Sequence, residues 1–161
     1  MPTEIEKKFL VTGNDYKTHD SGTIYKQGYL TTDKERTVRV RVAGEKGFIT
    51  IKGANCGAVR SEYEYEISAD EAAKIIDELC LHPIIKKCRF KYRAKDGHIW
   101  EIDEFEGENS GLVIAEIELQ DENEPFQKPA WIGEEVTGDA KYYNSNLVSN
   151  PYSKWEEAPN K

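Results

Sequence analysis

Residues 36–52, RTVRVRVAGEKGFITIK, decide the fold class of this chain. Charged and apolar side chains alternate on both sides of the glycine-flanked turn at 44–47, and a repeat of two residues is the period of a β-strand. The alternation therefore predicts two antiparallel strands joined as a hairpin. The same period recurs along the chain and predicts eight strands in all: 3–11, 24–31, 36–43, 47–52, 60–67, 84–93, 98–105 and 112–120.

Helical periodicity is confined to two segments. Ser68 and Glu71 form a capping box, and apolar residues follow at helical spacing from Ala72 to Leu79. A second helix is expected within 139–148, whereas 121–134 is acidic, carries two prolines and predicts a loop. The predicted fold class is therefore α+β, and mainly antiparallel β.

Length and charge limit the classes of protein to which the chain can belong. Its 161 residues fit one domain, which we expect to span 1–155 with 156–161 as a flexible tail. The net charge of −8 argues against nucleic acid as a partner. The charged start is unlike a secretory signal, and no apolar run is long enough for a membrane helix. Three scattered cysteines are typical of reduced thiols, so a cytoplasmic location is expected, and a homodimer is left open.

Charged side chains occupy one face of the predicted strands, while the opposite face is largely apolar or aromatic. The acids on the charged face are Glu4, Glu6, Glu62, Glu64, Glu101, Asp103, Glu116 and Glu118. The bases on it are Lys8, Arg39, Arg41, Lys52, Arg60, Lys87 and Arg89. An open sheet would present both sets to water, whereas a closed barrel would enclose them. The alternation alone leaves both geometries open.

A closed barrel could not bury these charges without ligands, because each ion loses several kcal/mol of hydration. Arginine and lysine bind phosphate oxygens, and clustered carboxylates bind Mg²⁺ or Mn²⁺. A lumen that carries both sets therefore suits a small polyanion together with a divalent metal.

Charged motifs follow one another in a fixed order along the chain. The E-x-E-x-K sequence at 4–8 is followed by R-x-R at 39–41, Lys52, E-x-E at 62–64, K-x-R at 87–89, E-x-D at 101–103 and E-x-E at 116–118. This ordered set resembles the CYTH group, the triphosphate tunnel metalloenzymes, and is most similar to the short bacterial inorganic tripolyphosphatases. The stretches YKQGYL at 25–30 and YYNSNL at 142–147 strengthen the resemblance, which covers roughly residues 2–148.

The resemblance implies an eight-stranded antiparallel barrel, open at both ends, with a charged lumen and helices packed outside. It also implies metal-dependent hydrolysis of a triphosphate, most simply inorganic tripolyphosphate to pyrophosphate and phosphate. Adenylate cyclases and nucleoside or thiamine triphosphatases belong to the same superfamily and are alternatives. A module that binds polyphosphate without hydrolysing it is a further alternative.

The roles implied by the resemblance divide the charged face into three sets. The expected ligands of Mg²⁺ or Mn²⁺ are Glu4, Glu6, Glu116 and Glu118. The expected contacts to substrate phosphates are Lys8, Arg39, Arg41, Lys52, Lys87 and Arg89. The residues expected to bind a second metal, orient the attacking water or hold the basic residues in place are Glu62, Glu64, Glu101 and Asp103. Tyr25, Gln27 and Tyr29 share one face of the second strand, and core packing is expected there in preference to a place at a tunnel mouth.

Overall fold

The computed structural model describes residues 3–17 and 20–155, and the tail predicted at 156–161 lies outside these residues. The described part contains nine strands: β1 Thr3–Val11, β2 Thr23–Thr31, β3 Arg36–Ala43, β4 Lys46–Gly53, β5 Val59–Ile67, β6 Ile85–Arg93, β7 Ile99–Phe105, β8 Val113–Glu118 and β9 Ile132–Glu135. Its two α-helices are α1 Ala69–Leu79 and α2 Asn144–Ser149. No helix in the described ranges is long and apolar enough to cross a membrane.

The first eight strands form a closed antiparallel barrel. Their order is β5-β4-β3-β2-β6-β7-β8-β1, and β1 pairs in turn with β5 through Thr3–Ile5 and Val59–Ser61. Because the side chains of a strand alternate between its two faces, closure directs the charged face inward. The predicted barrel with a charged lumen is thus confirmed.

The ninth strand corrects the prediction that 121–134 is entirely a loop. Strand β9 pairs with the second half of β1, with Val11 opposite Ile132 and Phe9 opposite Glu135. Strand β1 pairs with β5 only from Thr3 to Ile5, so the backbone groups on the same edge of β1 after Ile5 need other partners. Thr137 continues this function, since its hydroxyl accepts a hydrogen bond from the Lys8 amide at 2.9 Å.

Helix α1 packs on the outside of the barrel, as expected. The Ser68 hydroxyl accepts a hydrogen bond from the Glu71 amide at 3.0 Å, which confirms the predicted N-cap. Ile76 of the helix packs with Val40 of β3 in one buried cluster. The close approach requires glycine in the sheet, because a Cβ at Gly47 would lie 2.8 Å from the Ala72 Cβ.

Helix α2 lies across one end of the barrel instead of along its outer wall. It spans 144–149 within the segment predicted as helical, and residues 140–142 before it form a 3₁₀ turn. The inner-face side chains at this end are apolar and pack with Leu147 and Val148 of α2. These side chains are Tyr29, Ile85, Phe105 and Ile114. The expectation of a lumen open at both ends is therefore replaced by a lumen that α2 covers at one end.

Candidate functional site

A cavity of about 270 Å³ lies inside the barrel. Every charged inner-face residue singled out from the sequence lines this cavity except Asp103. The cavity-lining members of that set are Glu4, Glu6, Lys8, Arg39, Arg41, Lys52, Arg60, Glu62, Glu64, Lys87, Arg89, Glu101, Glu116 and Glu118. Barrel closure thus brings together side chains that are more than 100 residues apart in sequence.

Strand β3 supplies two guanidinium groups with unused hydrogen-bond donors. Arg39 and Arg41 both reach Glu64, with nitrogen–oxygen distances of 3.5 and 3.7 Å. Their Nε atoms are buried and have no hydrogen-bond partner among the described residues. Burial lowers the pKa of Arg41 to about 10, and the neighbouring Arg39 and Arg89 add to the effect. An anion with several oxygens would satisfy these donors and relieve the repulsion between the guanidinium groups.

Asp103 lies beneath the cavity wall and holds two of the cations. Its carboxylate accepts hydrogen bonds from Arg89 Nε at 2.7 Å and Arg89 Nη2 at 2.9 Å, and Lys87 Nζ lies 2.7 Å away. Burial opposes ionisation of this carboxyl, but Arg89 and Lys87 outweigh burial and lower its pKa well below the ordinary range. Burial lowers the pKa of Lys87 to about 8. Of the roles expected for Asp103, holding the basic residues in place agrees with this geometry.

Tyr25 lines the cavity, which corrects the favoured expectation of core packing and agrees with the alternative of a place at the tunnel. Its ring centroid lies 4.8 Å from the guanidinium carbon of Arg41 and 4.7 Å from that of Arg89. An aromatic face attracts cations, so the ring holds two like charges near each other. Of its two partners on the same strand face, Gln27 is fully buried, and Tyr29 belongs both to the apolar end and to the cavity wall.

Arg60 faces the cavity, but several of its donors bind the protein. Its Nε donates to the Gly53 carbonyl at 2.8 Å and its Nη2 to the Thr37 hydroxyl at 3.2 Å. These bonds fix the start of β5 against β3 and β4. Arg60 is therefore less free to bind a ligand than Arg39 or Arg41.

A group of carboxylates lies on the part of the cavity wall that is farthest from the apolar end of the barrel. Glu6 and Glu118 are direct cross-strand neighbours. Burial raises the pKa of Glu6 well above its ordinary value, and the nearby charges of Glu116 and Glu4 raise it further. Burial likewise raises the pKa of Glu118, with Glu4 and Glu62 contributing. A cation between these side chains would remove the repulsion that raises both pKa values.

The donor set on this wall fits a hard divalent cation. Carboxylate oxygens are the ligands that Mg²⁺ and Mn²⁺ prefer, and neighbouring carboxylates add to burial in raising the pKa values of Glu6 and Glu118. Within the described residues, no three such side chains already converge closely enough to hold a metal ion. Glu4 is held by Lys52, whose Nζ lies 2.8 Å from its Oε1. Some side-chain rearrangement would therefore accompany metal binding.

Glu116 differs from the other predicted metal ligands because basic residues already engage it. Lys8 Nζ lies 3.4 Å from one of its oxygens and Arg89 Nη2 lies 3.7 Å from the other. Burial opposes its ionisation, but Lys8 and Arg89 outweigh burial and bring its pKa down to about 2. Its negative charge is thus compensated by the protein itself.

The covered end of the cavity carries side chains that the strand pattern did not indicate. Tyr143 and Asn144 come from the segment that crosses the barrel end, and both line the cavity. The Tyr143 ring lies 5.3 Å from Lys8 Nζ, and Asn144 Oδ1 accepts a hydrogen bond from Lys87 Nζ at 2.8 Å. The similarity of 142–147 to family members was the one signal in this segment, and it gave no role for either residue.

Comparisons with known proteins agree with this architecture. The CYTH domain family matches residues 2–148. A protein named inorganic triphosphatase from Acetivibrio thermocellus is 56% identical over 157 residues, which cover 98% of this chain and 100% of that protein. A second protein of that name, from Nitrosomonas europaea, is 36% identical over 150 residues and covers 91% of this chain and 97% of its own length.

A solved structure supports the same relationship. The crystal structure of an inorganic triphosphatase superposes with a TM-score of 0.67 at 32% identity, covering 92% of this chain and 95% of that one. The family match extends over nearly all of the barrel and α2, and the order of charged motifs agrees with it. The chain belongs to the CYTH domain family.

Proposed function

We propose that this protein is an inorganic triphosphatase, which hydrolyses tripolyphosphate to pyrophosphate and phosphate with Mg²⁺ or Mn²⁺. The observation that carries the proposal is the pair of buried Nε donors on Arg39 and Arg41, which have no partner among the described residues and belong to two side chains that line the cavity inside the barrel. The two relatives named inorganic triphosphatase each match more than nine-tenths of this chain, which supports the same activity.

In this proposal the basic residues bind the phosphoryl oxygens. They are Lys8, Arg39, Arg41, Lys52, Lys87 and Arg89. Tripolyphosphate carries several negative charges, and phosphoryl transfer is accelerated mainly by positioning and charge neutralisation. Asp103 and Glu116 keep Lys87, Arg89 and Lys8 charged and oriented when no substrate is present.

Glu4, Glu6 and Glu118 would hold the divalent cation, and Glu116 would contribute if it released Lys8 and Arg89. When bound, the cation supplies Lewis-acid polarisation of the phosphoryl oxygens. Glu62, Glu64 and Glu101 line the same cavity, where each could bind a second metal, accept a hydrogen bond from the attacking water or hold the basic residues in place. Water adds to one terminal phosphorus and gives up a proton to a cavity carboxylate or to solvent. The bond from that phosphorus to its bridging oxygen breaks, and the basic residues neutralise the pyrophosphate that leaves.

The test is phosphate release from tripolyphosphate, ATP and pyrophosphate, each with Mg²⁺, Mn²⁺ or EDTA. We expect metal-dependent release that is fastest from tripolyphosphate. Cyclic AMP formed from ATP with Mn²⁺ would instead identify an adenylate cyclase. Calorimetric binding of tripolyphosphate with no release under any condition would identify a binding module.

The remaining expectations from the sequence stay predictions. They concern a single domain over 1–155, a cytoplasmic location and the homodimer that the sequence leaves open. All three cysteines are free thiols, which supports a reducing location. The net charge of −8 continues to argue against nucleic acid as a partner.

A further inference from the structure

The cavity has a floor built from the segment that crosses the barrel end. Below this floor, the lumen is filled by apolar side chains of the barrel and of α2. Leu147 of α2 is fully buried there and Val148 nearly so, packed against Ile85 and Phe105. A ligand that enters the barrel cannot pass through to this side, so the part of the ligand that reaches the floor must be its terminus.

Asn144 lies on this floor, and its neighbours fix the orientation of its side-chain amide. Lys87 carries only donors on its ammonium group, so the atom of Asn144 that lies 2.8 Å from Lys87 Nζ must be the carbonyl oxygen. The same oxygen accepts a hydrogen bond from Gln27 Nε2 at 3.1 Å. With its oxygen used twice, Asn144 must direct its Nδ2 elsewhere.

The Asn144 Nδ2 group is an unused donor. It makes no hydrogen bond with any of the described residues, and Asn144 belongs to the cavity wall. Gln27 Oε1, a buried acceptor on the neighbouring side chain, is itself unpaired, so Nδ2 is not turned toward it. Two N–H bonds therefore remain for a ligand that carries acceptor oxygens.

The charges around the floor define that ligand. Lys87 lies beside the Asn144 oxygen, and Lys8 lies against the ring of the adjacent Tyr143. Ammonium and amide N–H groups are hydrogen-bond donors, and they suit a phosphoryl group whose exposed oxygens all accept. A terminal phosphate that carried a nucleoside or other organic group would instead press that group against the apolar filling.

We propose that Asn144 is a specificity-determining residue whose Nδ2 donates to the unsubstituted terminal phosphoryl group of the bound triphosphate at the covered end of the barrel. The inference rests on the proposed function for its substrate. It adds a requirement, since a ligand must present at least one terminal phosphate without a substituent. Tripolyphosphate has two such ends, ATP has one, and diadenosine triphosphate has none.

The first experiment measures tripolyphosphate binding by calorimetry, in EDTA and with Mg²⁺, for Asn144→Asp and a matched control. The variant keeps an acceptor for Lys87 and Gln27 but replaces the donating NH₂ with a carboxylate oxygen. Asn146→Asp adds the same charge to the same helix, where the Asn146 amide binds the Ala140 carbonyl instead of lining the cavity. We expect Asn144→Asp to bind at least about tenfold more weakly than Asn146→Asp.

The second experiment needs no variant. Wild-type protein is titrated with tripolyphosphate in the presence of ATP or of diadenosine triphosphate at equal concentration. We expect ATP to compete and diadenosine triphosphate not to compete. Equal competition by the two nucleotides, or equal binding by Asn144→Asp and Asn146→Asp, overturns the inference.

The outcomes separate this inference from the proposed function. Wild-type protein that binds tripolyphosphate, discriminates as described and releases no phosphate contradicts the triphosphatase proposal alone. Wild-type protein that hydrolyses tripolyphosphate while Asn144→Asp binds like its control contradicts the inference alone. Wild-type protein that binds no tripolyphosphate in either buffer contradicts both.

Discussion

Removal of the Asp103 charge should be the most destabilising single substitution that leaves the shape of the cavity wall unchanged. Asp103 is 2% exposed and makes three short contacts with two cations, Lys87 and Arg89. Asp103→Asn keeps the size of the side chain but removes the negative charge. Lys87, with a pKa of about 8, can respond by releasing its proton, whereas Arg89 cannot deprotonate.

The exposure of the partners sets the magnitude. The side chains of Lys87, Arg89 and Asp103 are 2%, 9% and 3% exposed, so the pairs count as buried. Removing one partner from a buried pair costs about 3–5 kcal/mol, because the remaining charge is left without compensation. For a chain of this size the loss corresponds to a fall of about 6–20 °C in melting temperature.

Urea unfolding at pH 7 in EDTA measures the loss, with the m-value as a check on two-state behaviour. Glu101→Gln is the matched control, because Glu101 contacts the same guanidinium at 3.1 Å but is 33% exposed. A pair that exposed should contribute at most about 1 kcal/mol. If Asp103→Asn lies within about 1 kcal/mol of wild type, or Glu101→Gln costs as much, the assignment of Asp103 as a buried anchor is wrong.

Three further predictions follow from the same site and from one loop. Glu6→Gln should raise the stability of the metal-free protein at neutral pH. Burial, Glu116 and Glu4 raise the pKa of Glu6, so ionisation of Glu6 destabilises the folded protein as pH rises from the unfolded pKa to the folded pKa. Urea unfolding in EDTA measures the gain in the variant. His98 Nε2 hydrogen-bonds Glu124 and its Nδ1 lies 3.0 Å from Asp96, and the two carboxylates raise its pKa. Its stabilising contribution is therefore present below about pH 6.5 and is lost as pH rises through the folded pKa. Thermal melts of wild type and His98→Gln across pH 5–8 measure this contribution. Tyr25→Leu should keep the fold and raise KM for tripolyphosphate about 3- to 30-fold, because the variant lacks the ring that holds two guanidinium groups. Steady-state kinetics measure the change.

Each of these three predictions has its own contrary outcome. If Glu6→Gln is less stable than wild type in EDTA at pH 7, the ionised Glu6 carboxylate does not destabilise the folded protein. If the melting temperature of His98→Gln depends on pH as that of wild type does, another group produces the pH dependence. Tyr25→Phe retains the ring and serves as the control for Tyr25→Leu, so equal KM values in the two variants would remove the stacking explanation.

The strands were predictable because the pleat itself imposes the two-residue period. The predicted run at 36–43 coincides with β3, and the run at 60–67 differs from β5 by one residue at its start. Closure was not predictable from that period, because an open sheet has the same alternation. Closure depends on the pairing of Thr3–Ile5 with Val59–Ser61, which are more than 50 residues apart in sequence.

Strand β9 and helix α2 lay beyond the reach of the pattern for a related reason. Strand β9 has four residues after an acidic stretch with two prolines, and it forms because the edge of β1 needs partners. The predicted second helix exists, but its position across the barrel end depends on contacts of Leu147 and Val148 with strands distant in sequence.

The candidate site was predictable as a set of charges and not as a set of roles. Asp103 has the same strand period as Glu101, yet it lies beneath the wall while Glu101 faces the cavity. The strand period of Tyr25 allows either core packing or a place at the tunnel, and the two arginines around its ring decide between them. Asn144 comes from a helix that contacts the cavity with one end, so no periodicity could indicate it.

The most direct test of the central claim is phosphate release from tripolyphosphate by wild type and Glu6→Ala, each with Mg²⁺, Mn²⁺ or EDTA. The account predicts metal-dependent release by wild type that EDTA abolishes. It also predicts that Glu6→Ala keeps the fold and loses activity by orders of magnitude, because a carboxylate at the metal site is missing. Full activity in Glu6→Ala, or no release by folded wild type with either metal, would contradict the account.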